Sequence, residues 1–322
     1  MNESATKHTK VLILGSGPAG YTAAVYAARA MLKPVLVHGV QPGGQMTITT
    51  DVENYPGYAE VIQGPWLMDQ MKEQAKAVGT EMIEDHIASV NLKSKPFEAI
   101  GDSGHKYTAD SIIISTGAQA RWLNLKSEQE LRGFGVSACA TCDGFFFKDK
   151  IVAVVGGGNA AVEGSILLSK YAKTVFLVYR GEKLWRPEPI LIDTLNNTHN
   201  IKLILNNTVV ELIGDEIKGL VKVKLENEFK GEKIFATDGL MIEAGADPRI
   251  EIPQQLKINL NKKNGVVVNN EMETNIEGVL AAGDLTDASG DLKQTVTAAA
   301  QGAIAAKSAY SYVSNKKVEL KS

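Results

Sequence analysis

Cysteine is nearly absent from this 322-residue chain: there are two, placed together as Cys139-Ala140-Thr141-Cys142. A disulfide between such near neighbours closes a tiny loop and constrains the unfolded chain far less than a long-range bridge, which argues against a purely structural role. A structural zinc site normally needs two further nitrogen or sulfur ligands, and His8, His38, His86, His105 and His199 show no ligand-like spacing. No metal site is therefore expected, and the pair reads as a redox couple first and as inert thiols second. Excess charge is also missing. The net charge is −3 and no long Lys/Arg run occurs, which removes the electrostatic footprint of a nucleic-acid partner. Residues 11–28 lack charge altogether and superficially resemble a signal peptide, but Gly15, Gly17, Pro18 and Gly20 interrupt them at turn-forming positions. A cytoplasmic protein without a membrane span is expected. The Ala-rich residues 295–313 carry Gln301 and Lys307 and little bulk, which predicts a packed soluble helix.

What is present is ordinary in bulk and specific in pattern. Hydrophobic residues make up 44% and charged residues 22%, which excludes wholesale disorder, and the length suggests about two domains. Two strand-turn-helix units recur. The apolar Val11-Leu12-Ile13-Leu14 runs into Gly15-Ser16-Gly17-Pro18-Ala19-Gly20 and a small-residue helix; Ile151-Val152-Ala153-Val154-Val155 runs into Gly156-Gly157-Gly158-Asn159-Ala160-Ala161 and a helix to about Lys170. Each is followed by a short apolar strand, 35–37 or 175–178, completing a β-α-β unit. A lone GxGxxG is a weak signal, but both copies follow a strand and open a helix, the context that dinucleotide binding requires. The first Gly permits the tight turn, the second lets backbone approach a pyrophosphate, and the third, Gly20 or its substitute Ala161, lets helix pack on strand.

Ligands in open α/β sheets lie at strand C-termini, so two further strand ends count: 112–115 running into Thr116-Gly117-Ala118, and 279–282 running into Gly283-Asp284. The second of these follows the other nucleotide module. The predicted fold is therefore α/β, with two Rossmann-like dinucleotide-binding domains, the second inserted into the first: residues 1–118 and 246–322 forming one discontinuous domain and residues 119–245 the other.

Taken in order, the Gly15–Gly20 turn, Pro42-Gly43-Gly44-Gln45, Glu53-Asn54-Tyr55-Pro56-Gly57, Thr116-Gly117-Ala118, Ala138-Cys139-Ala140-Thr141-Cys142-Asp143-Gly144, Gly156-Gly157-Gly158-Asn159 and Ala281-Ala282-Gly283-Asp284 resemble the bacterial thioredoxin reductase family over nearly the whole chain. The resemblance implies a homodimeric flavoprotein disulfide reductase that passes electrons from NADPH, or alternatively NADH, through FAD and the Cys139/Cys142 pair to thioredoxin or a similar small dithiol protein. It assigns the discontinuous domain to FAD and the inserted one to the pyridine nucleotide and dithiol. It also makes Cys142 the flavin-proximal sulfur, Cys139 the sulfur that attacks thioredoxin, and Asp143 the proton donor and acceptor. Read without the resemblance, Asp143 has a turn or helix-cap residue as its alternative.

For FAD the resemblance implies Gly15, Gly17, Gly20, Gly44, Gln45, Asn54, Asp284 and the Lys293-Gln294-Thr295 segment. Asp284 has a competing reading as a cap of the final helix, and the loop between it and Lys293 is longer than in relatives. For the coenzyme it implies Gly156, Gly158, Asn159, Arg180 and Arg186. Here the pattern departs from NADPH-specific relatives, which carry His-Arg-Arg where this chain reads Tyr179-Arg180-Gly181. Arg180 retains a charge for a 2′-phosphate, with Arg186 or Lys183 in support, whereas Glu182 would suit a ribose hydroxyl of NADH. Glu243 replaces an apolar residue of the family pattern, and nothing in the sequence accounts for it. Two other functions fit less of the chain: a related flavin disulfide reductase fed by ferredoxin, and a non-catalytic dinucleotide-binding sensor, which would have no use for paired thiols beside Asp143.

Overall fold

The computed structural model describes residues 6–48, 51–290 and 292–319. The chain divides into two compact units, Met1–Gln119 with Pro248–Ser322, and Ala120–Asp247.

The first unit is built on strand Lys7–Leu14, which pairs in parallel with Val35–His38 on one side and Lys106–Ile114 on the other, so that Leu12 lies beside both Val35 and Ile112. Val279–Ala281 adds a further parallel strand against Lys106–Ile114. Val11, Leu12 and Ile13 are fully buried, because a parallel sheet is covered on both faces and its strands need continuous apolar sequence. One face packs under Tyr21, Ala23, Ala24 and Ala27 of helix Pro18–Arg29 together with Ala305, Ala306 and Ala309 of helix Thr295–Glu319. Small residues allow close helix approach: a Cβ on Gly302 would sit 2.1 Å from the Ala19 carbonyl oxygen. The Ala-rich helix predicted near the C-terminus is thus a packing element, and no helix among the described residues is long and apolar enough to cross a membrane. The other face packs Leu14, Ile112 and Ile114 with Phe97 and Tyr107.

The second unit holds a five-stranded, all-parallel sheet in the order Val136–Ser137, Gly239–Ile242, Ile151–Val155, Thr174–Val178, Ile201–Ile204. An antiparallel meander, Val209–Asp215, Gly219–Phe229 and Glu232–Ala236, follows. The sequence reading did not anticipate it, because its strands are half-exposed and mix charged with apolar residues. The inward residues Leu212, Leu220, Val223 and Leu225 form one core with Val178, Ile204 and Ile242 of the parallel sheet. Where the chain passes between units, each unit closes its own end. Arg249 N donates to Gly117 O at 3.0 Å in the first, and Arg121 N donates to Gly245 O at 2.9 Å in the second. Arg121 also binds the Asp247 carboxylate through Nε at 2.9 Å.

Candidate functional site

The first glycine turn is closed on every side but one. Gly15 has a left-handed φ of +106°, and a Cβ there would lie 2.4 Å from the Ser115 carbonyl oxygen; a Cβ on Gly20 would lie 2.0 Å from Gly15 O. At Gly17 the same atom would meet nothing within 4 Å, so the turn opens only there. Helix Pro18–Arg29 starts at this opening with no side-chain cap and no acidic residue in its first turn. Its unpaired N–H groups and positive dipole end are left for an external anion.

The remaining residues expected around the first turn converge from distant parts of the first unit. Gly43 N donates to Ser16 Oγ at 3.1 Å, and a Cβ on Gly44 would lie 3.6 Å from Gly17 Cα, which sets Gly44 and Gln45, at the start of the short helix Gly44–Ile48, beside the turn. Asn54 Nδ2 donates to Gln294 Oε1 at 3.2 Å across 240 residues of chain, and Thr295 Oγ1 contacts Met46 Sδ at 3.0 Å. Gly283 is drawn in too, since a Cβ there would come within 3.0 Å of Ala19 Cβ. Asp284 follows it as a half-buried carboxylate with no hydrogen bond to a described residue. Burial raises its carboxyl above the ordinary carboxylate range, against the pull of Lys293. The final helix begins at Thr295, so Asp284 is too far upstream to cap it, and the capping alternative is set aside. Lys293 is drawn to the loop, where its Nζ donates to the Thr286 carbonyl.

The second turn repeats the first with one substitution. A Cβ on Gly156 would lie 2.2 Å from Glu243 O, Gly158 faces open space, and helix Asn159–Ser169 again starts without a side-chain cap. Asn159 engages Glu188 at both ends of its amide, donating to Oε1 at 3.1 Å and accepting from the backbone N at 3.0 Å. Tyr179 explains the altered coenzyme motif in part. Its ring is flanked by Gly157 and Gly181, where added Cβ atoms would meet ring carbons at 2.2 and 2.6 Å. The aromatic ring thus occupies the room that a side chain at position 181 would need. Arg180 is exposed and unpaired among the described residues, as are Glu182 and Lys183. The Arg186 guanidinium lies 5.0 Å from the exposed Trp185 ring.

The dithiol segment lies in the same unit. Cys139 is half-buried and disulfide-bonded. Its N–H donates to Ser137 Oγ at 3.0 Å and its carbonyl accepts from Asp143 N at 3.2 Å, opening the short helix Ala140–Asp143. The side chain of Cys142 lies outside the described residues. Asp143 makes no side-chain cap for the following turn Gly144–Phe147, so the capping alternative has no hydrogen bond behind it. Two features escaped the sequence reading. Phe145 and Phe146, directly after the dithiol, are 69% and 70% exposed; three consecutive phenylalanines in a turn were the available signal. The Glu243 carboxylate accepts a hydrogen bond from the backbone N–H of Ala140, which no sequence pattern reports. No metal-binding cluster occurs among the described residues.

Two uncapped glycine turns and a disulfide on the second unit define a class. The chain belongs to the pyridine nucleotide-disulphide oxidoreductase family, whose profile matches residues 9–302. Within it, the chain is similar to the thioredoxin reductase of Rickettsia felis, 49% identical over 301 residues covering 92% of this chain and 96% of the relative. It is also 49% identical to the thioredoxin reductase of Vibrio cholerae over 323 residues, covering 97% and 99%. Among solved structures it resembles Lactococcus lactis thioredoxin reductase, with a TM-score of 0.90, 36% identity and coverage of 95% and 99%.

Proposed function

We propose that the chain is a flavoprotein disulfide reductase that draws electrons from NADPH, holds FAD in the first unit, and reduces thioredoxin through Cys139 and Cys142. The observation that carries this reading is the pairing of a disulfide-bonded Cys139 with two turns that open only at Gly17 and Gly158, each in front of an uncapped helix. A cradle of this kind suits a pyrophosphate, and Asp284, half-buried without a hydrogen bond to a described residue, suits a hydroxyl of the same ligand. When bound, the two cofactors supply the conversion of a hydride into an electron pair that opens a disulfide.

The chain's own residues do the rest. Gly15, Gly17, Gly20, Gly44, Gln45, Asn54, Gln294 and Thr295 shape and line the FAD cradle, while Gly156, Gly158 and Arg180 face the coenzyme. Cys142 takes the flavin-facing sulfur, Cys139 attacks the external disulfide as a thiolate, and Asp143 exchanges the proton. The exposed Phe145 and Phe146 beside the dithiol give a protein substrate an apolar surface to press against. Homodimerisation is part of this reading, and the family likeness supports it. The test is anaerobic titration of the purified yellow protein with NADPH and with NADH, following flavin absorbance and then thioredoxin reduction. Bleaching without thioredoxin reduction would exclude the thioredoxin assignment, and no bleaching would exclude a pyridine nucleotide as the electron donor.

Coenzyme choice rests on Arg180. If its guanidinium meets the 2′-phosphate, Arg180→Ala raises KM for NADPH and leaves KM for NADH nearly unchanged. A charge-assisted hydrogen bond of roughly 1.5–3 kcal/mol corresponds to about tenfold to a hundredfold at low salt. The lower end is expected, because Arg180 is exposed and Gly181 contributes no second cation. Equal weakening of both coenzymes, or a preference for NADH in the unmodified protein, would make Glu182 the residue to examine.

A further inference from the structure

Glu243 is a half-buried carboxylate of the second unit that the proposed chemistry leaves unused. It follows strand Gly239–Ile242, and its main chain and side chain meet different parts of the site. Its N–H donates to Val155 O at 2.8 Å, and its carbonyl oxygen closes the second glycine turn against Gly156. Its carboxylate accepts the N–H of Ala140, the residue after Cys139. Buried Gly164 lies alongside: a Cβ there would be 3.3 Å from Ala140 Cβ and 4.0 Å from Glu243 Oε1, so the absence of a side chain at 164 makes room for this contact. One residue therefore connects the coenzyme-side turn to the first turn of the dithiol helix.

We infer that Glu243 is a positioning residue for the dithiol: it fixes the backbone after Cys139 and opposes thiolate formation at that sulfur when the carboxylate is ionised. This rests on the reading of Cys139 as the attacking thiol. Reduction of the disulfide breaks the S–S bond, places the two electrons delivered by the coenzyme on the sulfurs, and takes two protons from solvent to give two thiols. Attack then requires one of those thiols to lose its proton, and a nearby carboxylate raises the cost of that second negative charge.

Desolvation pushes the Glu243 carboxyl up to about 7, the Ala140 N–H opposes the rise, and Glu163 of helix Asn159–Ser169 adds to it. The neighbouring segments also carry Cys139, Cys142 and Asp143 on the dithiol side and Arg121 beside Gly245, while strands Ile151–Val155 and Gly239–Ile242 carry no titratable group. Glu243 is thus mostly neutral at pH 6 and mostly ionised at pH 8. Over the same interval thiolate formation should rise less steeply than for an isolated thiol.

The experiment uses the holoenzyme reduced anaerobically with dithiothreitol, desalted, and alkylated with iodoacetamide, with the rate at Cys139 read by peptide mass mapping from pH 6 to 9. Glu243→Gln keeps an acceptor for the Ala140 N–H and removes the charge. It is expected to match the unmodified protein at pH 6 and to react on the order of three- to tenfold faster at pH 8. Glu243→Ala removes the acceptor as well and is expected to change the rate at pH 6, where the unmodified carboxyl is mostly neutral and both variants carry no charge. Equal rates for Gln and Glu at every pH would overturn the proposal, as would an Ala variant that behaves like Gln throughout. Neither result bears on whether Cys139 attacks thioredoxin, which Cys139→Ser tests separately.

Discussion

Cys139→Ser is expected to bring thioredoxin reduction to background, a loss on the order of a thousandfold or more, while coenzyme still bleaches the flavin. The substitution replaces sulfur by oxygen in a residue whose backbone bonds, to Ser137 Oγ and from Asp143 N, do not involve the side chain, so the helix Ala140–Asp143 should keep its form. What is lost is the disulfide and the nucleophile. A serine hydroxyl does not ionise near neutral pH and forms no disulfide with Cys142, whose lone thiol is already reduced, so the electron path ends at the flavin. Flavin bleaching by coenzyme, with thioredoxin-dependent turnover measured in the same preparation, separates the two halves of the path. Turnover persisting in the variant would remove Cys139 from the proposed role.

Gly17→Val and Gly20→Ala should fail in different ways, because the two glycines are needed for different reasons. Gly17 has φ −71° and ψ −175°, a conformation any L-residue adopts, and an added Cβ would meet no protein atom within 4 Å. The valine should therefore leave the fold intact and obstruct the pyrophosphate approach, giving a colourless or weakly yellow protein of nearly unchanged apoprotein stability. Gly20 is the converse. Its added methyl would lie 2.0 Å from Gly15 O and 2.9 Å from Ser115 Oγ, so strand and helix must separate. Overpacking of this kind costs roughly 1–3 kcal/mol or more, a fall in Tm of several degrees for a unit of this size. The flavin-to-protein absorbance ratio and the melting temperature of the flavin-free protein distinguish the cases. A Gly17→Val protein with full flavin would mean that the phosphates do not pass over Gly17.

The sequence by itself determined the two nucleotide modules and the proximity of the two cysteines, because each depends on residues adjacent in the chain. A continuous apolar strand, a turn that needs left-handed backbone at Gly15 and a helix start free of capping side chains are local requirements, readable in six or seven consecutive positions. Membership of the family followed from the order of those local motifs. The half-exposed meander at Val209–Ala236 was not legible, since its strands carry charge on the outward face and take their apolar partners from a sheet elsewhere in the sequence. Only the tertiary structure decided the pairings across long stretches of chain: Asn54 with Gln294, Gly44 with Gly17, and the Ala140 N–H with Glu243. It also decided that Tyr179 fills the space a side chain at position 181 would take, and that Asp284 lies too far from the final helix to cap it. The physical reason is common to all of these. A hydrogen bond or a steric exclusion acts over a few ångströms in space, and which distant residues come within that range is fixed only when the sheets and helices pack.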